Sequence, residues 1–374
     1  MVLVKTEGGA RSQSSVIIVY NRIPLTIHGS LAASGGMHFS KIGIINMNHQ
    51  FWVIVFALAL CAPADLCLSL AMAESLKIAE TDATLTISHG QKIVLVYNKM
   101  SPAVPEGIDP IYHRSGFLHP VTTPKGKTIT EAFPKDHPHQ HGIFFAWVKT
   151  TYGDRAIDFW NLAGRTGRVV HERVVNMSQN EGRVEFEVDL IHRAENPSVD
   201  ILRERWKVTV YEPGDDYYCF DLESVQQALT DTPLVVEKYH YGGMAFRGIS
   251  KWLTKADQDK RGSGAIQLEP SSFLNNSGQD RKLGNHTPST WVALSGTIEH
   301  QNASIAVLSH SKNFRAPQPA RLHDSKPYFC FSPCVTDSFE ISKTKPLRSK
   351  YRFLVTDAPP NPDWIESLWL AMNE

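Results

Sequence analysis

Arg183-Val-Glu-Phe-Glu-Val-Asp-Leu-Ile191, Arg203-Glu-Arg-Trp-Lys-Val-Thr-Val-Tyr211 and Tyr217-Tyr-Cys-Phe-Asp-Leu-Glu-Ser224 follow one another in the middle of the chain. Apolar and charged side chains alternate through the first two, and the third is rich in aromatic residues. A period of two places like residues on one face only when the backbone is extended. The turn signals Asn180-Glu-Gly182 and Glu212-Pro-Gly-Asp215 bracket these runs. Residues 183–222 therefore read as successive antiparallel strands, apolar towards a core and charged towards water.

The same pattern extends in both directions. Thr84-Leu-Thr-Ile-Ser88, Lys92-Ile-Val-Leu-Val-Tyr97, Ser289-Thr-Trp-Val-Ala-Leu-Ser-Gly296, Ala303-Ser-Ile-Ala-Val-Leu-Ser309 and Lys350-Tyr-Arg-Phe-Leu-Val355 are β-branched or aromatic runs. Helical signal is confined mainly to Asp363–Met372, just after Pro362. There is no internal repeat and no linker long enough to divide the chain. The expectation is an all-β fold: one large antiparallel β-sandwich with few short helices, over residues 74–374. The polar stretch 251–290 is the best candidate for a long excursion or mobile loop.

The first 73 residues are written differently. Residues 1–46 are Gly/Ser-rich and weakly patterned, and no stable structure is expected there. Phe51-Trp-Val-Ile-Val-Phe-Ala-Leu-Ala-Leu-Cys-Ala62 is an apolar run, followed by the small-x-small triplet Ala71-Met-Ala73. That combination reads as a signal peptide over 47–73, with cleavage near Ala73 and a periplasmic or secreted mature protein. Met37 and Met47 are both candidate starts, which would make 1–36 or 1–46 an extension outside the protein. The mature part has no apolar run near the roughly 20 residues that a membrane span needs.

Lys and Arg number 38 and Asp and Glu 38, so the chain is neutral overall and offers no electrostatic case for nucleic acid. Beyond the leader the cysteines are Cys219, Cys330 and Cys334; Cys330 and Cys334 could pair in an oxidising compartment, but three thiols make no disulfide scaffold. No P-loop, G-x-G-x-x-G, G-x-S-x-G or C-x-x-C is present, which argues against nucleotide cofactors and serine-hydrolase chemistry.

Chemistry concentrates at Asp136-His137-Pro138-His139-Gln140-His141-Gly142, which precedes Ile143-Phe-Phe-Ala-Trp147. In an extended backbone the three imidazoles would share a side, roughly 6.6 Å apart per pair, and could serve one metal or one polar ligand. A further ligand to a metal would come from His240, His310, Asp136 or His113. The other readings are a metal-free polar or catalytic site, or rings satisfied within a core. Gly142 would let the backbone turn or approach another group. Around the block, Arg114 and His119 lie on a Pro/Gly-fixed loop, and Ile157-Asp158-Phe-Trp160-Asn161 pairs an acid with aromatics. Exposed Trp147 or Trp160 faces would stack on a sugar ring, although Trp at such spacing is more often core. Tyr239-His240-Tyr241-Gly-Gly243 leads to Arg247, and His310 ends an apolar strand.

These pieces resemble a bacterial family labelled "methane oxygenase PmoA-like". The matching residues are His119-Pro with Thr123-Pro-x-Gly126, Asp136 to Trp147, Asp158-Phe-Trp160, Tyr241-Gly-Gly with Arg247-Gly, Trp291, His310 with Asn313, and Tyr351-Arg352, spanning roughly 84–357. Many members read His-His where this chain has Gln140-His141. The resemblance implies secreted proteins with a fold similar to the supersandwich of galactose mutarotase-like proteins. In that superfamily, histidines and a carboxylate on the concave sheet bind and isomerise or cleave sugars.

On this reading the protein binds or acts on a small-molecule or glycan ligand. His139 and His141 serve as proton donor and acceptor with His240 and His310, while Arg114, His119, Trp147, Asp158, Trp160 and Arg247 contact the ligand. A second reading, implied by the family label, is a metalloenzyme with iron, copper or zinc held by His137, His139 and His141 and activating water or oxygen. A third is a non-catalytic binding or surface protein in which the histidines are structural.

Overall fold

The alternation at 183–224 is realised residue by residue. In the strand Arg183–Ala194, Val184, Phe186, Val188 and Leu190 are fully buried, while Arg183 faces water. In Val199–Tyr211 the inward set is Leu202, Glu204, Trp206, Val208 and Val210, with Arg203, Arg205 and Lys207 on the other side. Each inward Leu, Val or Phe contributes on the order of 1.5–3 kcal/mol of burial free energy. Gly182 closes the first hairpin with φ +78°, as the turn signal suggests.

The computed structural model describes residues 75–257 and 267–374, with the backbone of 15–20 and 23–28. It falls into two units, Met1–Ala71 and Met72–Glu374. In the first, Ser15–Tyr20 pairs antiparallel with Ile23–His28, within the stretch expected to lack structure. The leader expected at 47–73 lies outside the described residues.

The second unit is an all-β sandwich, and strand accounts for 49% of the chain. An eight-stranded antiparallel sheet runs in the order Gly167–Asn180, Arg183–Ala194, Val199–Tyr211, Tyr217–Ala228, Leu347–Thr356, Gln301–Ser309, Trp291–Ile298 and Ser271–Asn275. A nine-stranded sheet runs Thr287–Pro288, Pro319–Leu322, Tyr328–Phe331, Gly243–Arg247, Ile143–Ala146, Phe117–Val121, Lys92–Asn98, Thr84–His89 and Leu76–Glu80. A four-stranded sheet is made from Phe339–Ile341, Leu234–Val236, Thr150–Tyr152 and Arg155–Ile157. The stretch 251–290, expected to be an excursion, supplies the edge strand Ser271–Asn275 as well as loop.

One continuous core joins the two large sheets. Tyr97 of the nine-stranded sheet packs on Phe186 and Trp206 of the eight-stranded one, with ring centroids 5.5 and 6.1 Å apart. Phe331 likewise lies 5.5 Å from Tyr351. The helix Pro362–Asn373 begins where Pro362 predicts, capped by Asn361 Oδ1, which accepts the Trp364 N–H at 3.1 Å. Its Ile365 packs with Trp291, Leu308 and Leu354 in a separate small cluster. No helix among the described residues is long and apolar enough to cross a membrane.

Candidate functional site

The histidine block is not a strand. His137 N–H donates to Pro134 O at 3.0 Å and Gln140 N–H donates to His137 O at 2.9 Å, two successive turns. Pro134 and Pro138 explain this, since each fixes φ and removes a ladder donor. The expectation of three imidazoles on one extended face is therefore overturned. His137 and His139 stay together, ring centroids 5.3 Å apart. His141 turns into the core, fully buried between Phe117 (5.1 Å) and Phe133 (4.5 Å), where its Nδ1 donates to the His139 carbonyl. Gly142 follows with φ +53°, and a Cβ there would collide with the Leu118 carbonyl oxygen, so only glycine fits.

His137 and His139 line a cleft of about 240 Å³. Gln140 and Asn161 complete one side of it, His240 and Tyr241 another, and Arg321, His323 and Tyr328 the third. The strands behind these residues, Pro319–Leu322, Tyr328–Phe331, Gly243–Arg247 and Ile143–Ala146, are consecutive neighbours in the nine-stranded sheet. His137 and His323 lie 6.1 Å apart, ring to ring, so with His139 and His240 four imidazoles line the cleft, with His323 in the place expected for His141. Two larger hollows, about 610 Å³ each, hold the single histidine His171 in one case and none in the other.

Beneath the cleft is a charge relay of fixed geometry. Arg247, fully buried, donates from Nη1 and Nη2 to both oxygens of Asp136 at 2.8 and 2.6 Å, and from Nη1 to Gln140 Oε1 at 2.9 Å. Asp136 Oδ2 also accepts from Nδ1 of His137 at 3.1 Å. Burial alone would raise the Asp136 pKa, but the His137 hydrogen bond and the Arg247 charge outweigh it and hold the carboxyl far below its usual range. Burial first, then neighbouring positive charge, lowers His139 to about 3 and His323 to about 3, and burial lowers His137 despite Asp136. At neutral pH the cleft thus presents uncharged imidazoles. Nδ1 of His137 is tied to Asp136, which leaves Nε2 as a proton acceptor.

The remaining expected residues separate into walls, core and bystanders. Asp158 shapes the site indirectly. Its carboxylate accepts the Trp160 and Asn161 backbone N–H groups at 2.8 and 2.9 Å and the Asn161 side-chain amide at 2.7 Å, which sets Asn161 in the wall. Trp160 is buried, packed on Tyr241 and Tyr328 at 5.3 and 5.8 Å, so it supports the wall and offers no stacking face. Trp147 is core as well, its indole N–H on Gln226 Oε1 at 2.7 Å. Arg247 is committed to Asp136 and Gln140 and does not reach into the cleft as a ligand contact. Arg114 is buried over the Phe144 ring at 4.7 Å; burial first, and then Arg168, lowers its pKa to about 9 against the opposing pull of Glu204.

Three expected histidines lie away from the cleft. His119 bonds Thr130 Oγ1 at 2.9 Å, with burial lowering it to about 4. His310 accepts the Lys312 N–H at 3.0 Å at the end of Gln301–Ser309, in the other sheet. His113 faces the Arg168 guanidinium at 2.6 Å. The three-histidine metal centre is not formed: among the described residues no three His, Cys, Asp or Glu side chains are arranged to hold a metal ion. Cys330 and Cys334, whose pairing the sequence left open, are both free and buried.

Arg321, His323 and Tyr328 are the residues that sequence reasoning missed. Arg321-Leu-His323 does alternate around the buried Leu322, but nothing local links it to the block at 136–141. Only the pairing of non-consecutive strands brings the two together.

The chain matches, over residues 84–370, a family described as a family of unknown function, DUF6807. The chain belongs to the DUF6807 family. That match corrects the resemblance drawn from the histidine block, because no PmoA-like family is found. No curated protein matches the chain. Among solved structures, the crystal structure of a heparan sulfate lyase HepC mutant from Pedobacter heparinus is similar at 10% identity and a TM-score of 0.33. The alignment covers 77% of this chain and 36% of that one, so the DUF6807 chain spans about a third of the lyase's length.

Proposed function

We propose that this DUF6807 protein is a carbohydrate-active protein whose cleft binds a sugar and moves a proton on it. The observation that carries the reading is the chain Arg247–Asp136–His137, which ends at the cleft with Nε2 of His137 as acceptor. A general base needs a fixed tautomer and a neutral resting state, and the buried carboxylate and the lowered pKa supply both. His139 is a second neutral imidazole beside it. The Tyr241 hydroxyl, held protonated by burial, donates to Asn161 Oδ1 at 3.3 Å, and the Tyr328 hydroxyl bonds Cys330 Sγ at 3.0 Å, so the two phenols offer acceptor lone pairs to a ligand hydroxyl. Amide, imidazole and phenol groups on three sides suit a ligand with many hydroxyls. Export to the periplasm or beyond belongs to the same proposal and rests on the apolar run 51–62 with Ala71-Met-Ala73.

The test is a glycan-binding screen of the purified protein, with and without chelator, repeated on His137→Gln and His139→Gln. Saccharide binding that survives chelation and falls at least tenfold in both variants is the expected result. A protein that binds no saccharide, or binds equally well without these imidazoles, overturns the reading.

A further inference from the structure

Four neighbouring strands carry one transverse row of side chains across the cleft-bearing sheet. Arg321 pairs with Cys330, Cys330 with Ala245, and Ala245 with Phe144. Directly opposed residues share a face, so the row starts at an arginine in the cleft and ends at the ring on which the Arg114 guanidinium lies. With strands about 4.8 Å apart, the two ends are about 14 Å from each other.

Both ends are positive, and among the described residues neither arginine forms an ion pair. Arg321 donates to two uncharged oxygens, Asn285 Oδ1 at 3.0 Å and Leu322 O at 3.2 Å. Arg114 donates to Phe145 O at 3.4 Å, while its Nε and Nη1 have no hydrogen-bond partner among the described residues. Trp160 Nε1, under the wall formed by Tyr241 and Tyr328, is likewise without one. A buried donor left open is costly, more so when charged, but neither Arg114 nor Trp160 lines the cleft, so the charge of the ligand is read from Arg321 alone.

No Asp or Glu is among the described residues that line the cleft. The carboxylates that touch its walls do so from behind or from solvent. Asp136 is bound by Arg247 and His137, Asp158 is bound by Asn161, and Asp324, 2.7 Å from His323 Nδ1, has 82% of its side chain in solvent. A neutral sugar would satisfy the imidazoles and phenols but leave the cation at the cleft unmatched.

The geometry points to an acidic saccharide as the ligand, with its carboxylate or sulfate oxygens received by Arg321 inside the histidine cleft. This rests on the carbohydrate reading and adds the charge of the substrate to it. The guanidinium fork matches two oxygens of one anionic group. At about 240 Å³ the cleft is smaller than an ordinary drug-sized pocket, so it takes a single acidic residue and leaves the rest of a glycan outside.

Calorimetric titration of the purified protein with D-glucose, D-glucuronate, D-glucose 6-sulfate and inorganic sulfate tests this. At least one acidic sugar should bind about 10- to 100-fold tighter than glucose, the span expected for a charge-assisted hydrogen-bonded pair, and added salt should narrow the gap. Preference for glucuronate alone assigns a carboxylate, and equal affinity for the sulfated sugar assigns a general oxyanion; both support the inference. Arg321→Gln should erase the preference, and Arg321→Lys, which keeps the charge without the fork, should retain part of it and serves as the readout should the glutamine variant not fold. Glucose binding as tightly as both acidic sugars overturns the inference while leaving the carbohydrate reading intact. Inorganic sulfate binding as tightly as both acidic sugars also overturns it, since the sugar would then contribute nothing. Absence of binding to all four overturns both.

Discussion

Two buried carboxylates, Glu204 in the eight-stranded sheet and Asp136 beneath the nine-stranded one, are held in similar ways and end differently. Glu204 accepts from His192 Nε2 and Trp206 Nε1 at 2.7 Å each and from Ser224 Oγ at 2.5 Å, and Glu204, His192 and Ser224 are all sealed in the core. Asp136 accepts from Arg247 and His137, but His137 continues into a cleft. Burial works against the charge of both, and the hydrogen bonds, led in each case by the histidine, win and lower the pKa. That difference separates packing from function. A polar network sealed in the core specifies packing, whereas one that ends on a ring lining a cleft can act on a ligand.

The closed network should be the more costly to open. Glu204→Ala leaves His192, Trp206 and Ser224 without their shared acceptor, and urea denaturation should show a loss of about 3–5 kcal/mol. A loss below about 1 kcal/mol would mean that the network contributes little to packing. Asp136→Asn should cost somewhat less, about 3 kcal/mol, because Asn still accepts one hydrogen bond from Arg247. Adding Arg247→Met to that variant should recover part of the loss, a coupling that a double-mutant cycle measures; strictly additive losses would contradict the pairing.

A gentler probe is pH. His139 and His323 at about 3, and His119 and His171 at about 4, all lie below the unfolded value near 6.5. In that window the unfolded chain binds more protons than the folded one, so stability is full above pH 6.5 and declines as pH falls from there towards 4. Asp136, also lowered, contributes stability above its unfolded value and adds to the decline only below about pH 4. The urea midpoint should therefore fall between pH 7 and 4, and His139→Gln should make that fall shallower. A midpoint that is flat across this range would contradict neutral burial of these rings. A smaller effect is expected for His137→Gln at neutral pH, about 1.5–3 kcal/mol of stability, since the ring supplies one hydrogen bond to the Asp136 carboxylate while Arg247 keeps the other two.

Much of the fold was legible because alternation is a local signal. Val184, Phe186, Val188 and Leu190 announce a strand with no help from the rest of the chain, and Pro362 announces the helix. The site was legible only in outline. His137, His139 and His240 were singled out and do converge, and Asn161 and Tyr241 stood in the quoted motifs. His141 was placed wrongly because two prolines broke the extended geometry on which the shared face depended. Trp147 and Trp160 could not be assigned to core or binding platform until the strand order put them under Gln226 and Tyr241. Arg321, His323 and Tyr328 reach the cleft only through pairings such as Arg247 with Tyr328, which no sequence window contains.

The split between His139 and His141, two residues apart, gives the sharpest readout of the account. His139→Ala and His141→Ala should be compared by calorimetric titration with the best-bound acidic saccharide and by urea denaturation of the same preparations. His139→Ala should lose at least tenfold in affinity with nearly unchanged stability. His141→Ala should lose about 2–4 kcal/mol of stability, as a buried ring leaving a cavity does, and bind like the wild type. The reverse pattern, a stable His141→Ala that no longer binds beside an unfolded His139→Ala, would contradict it.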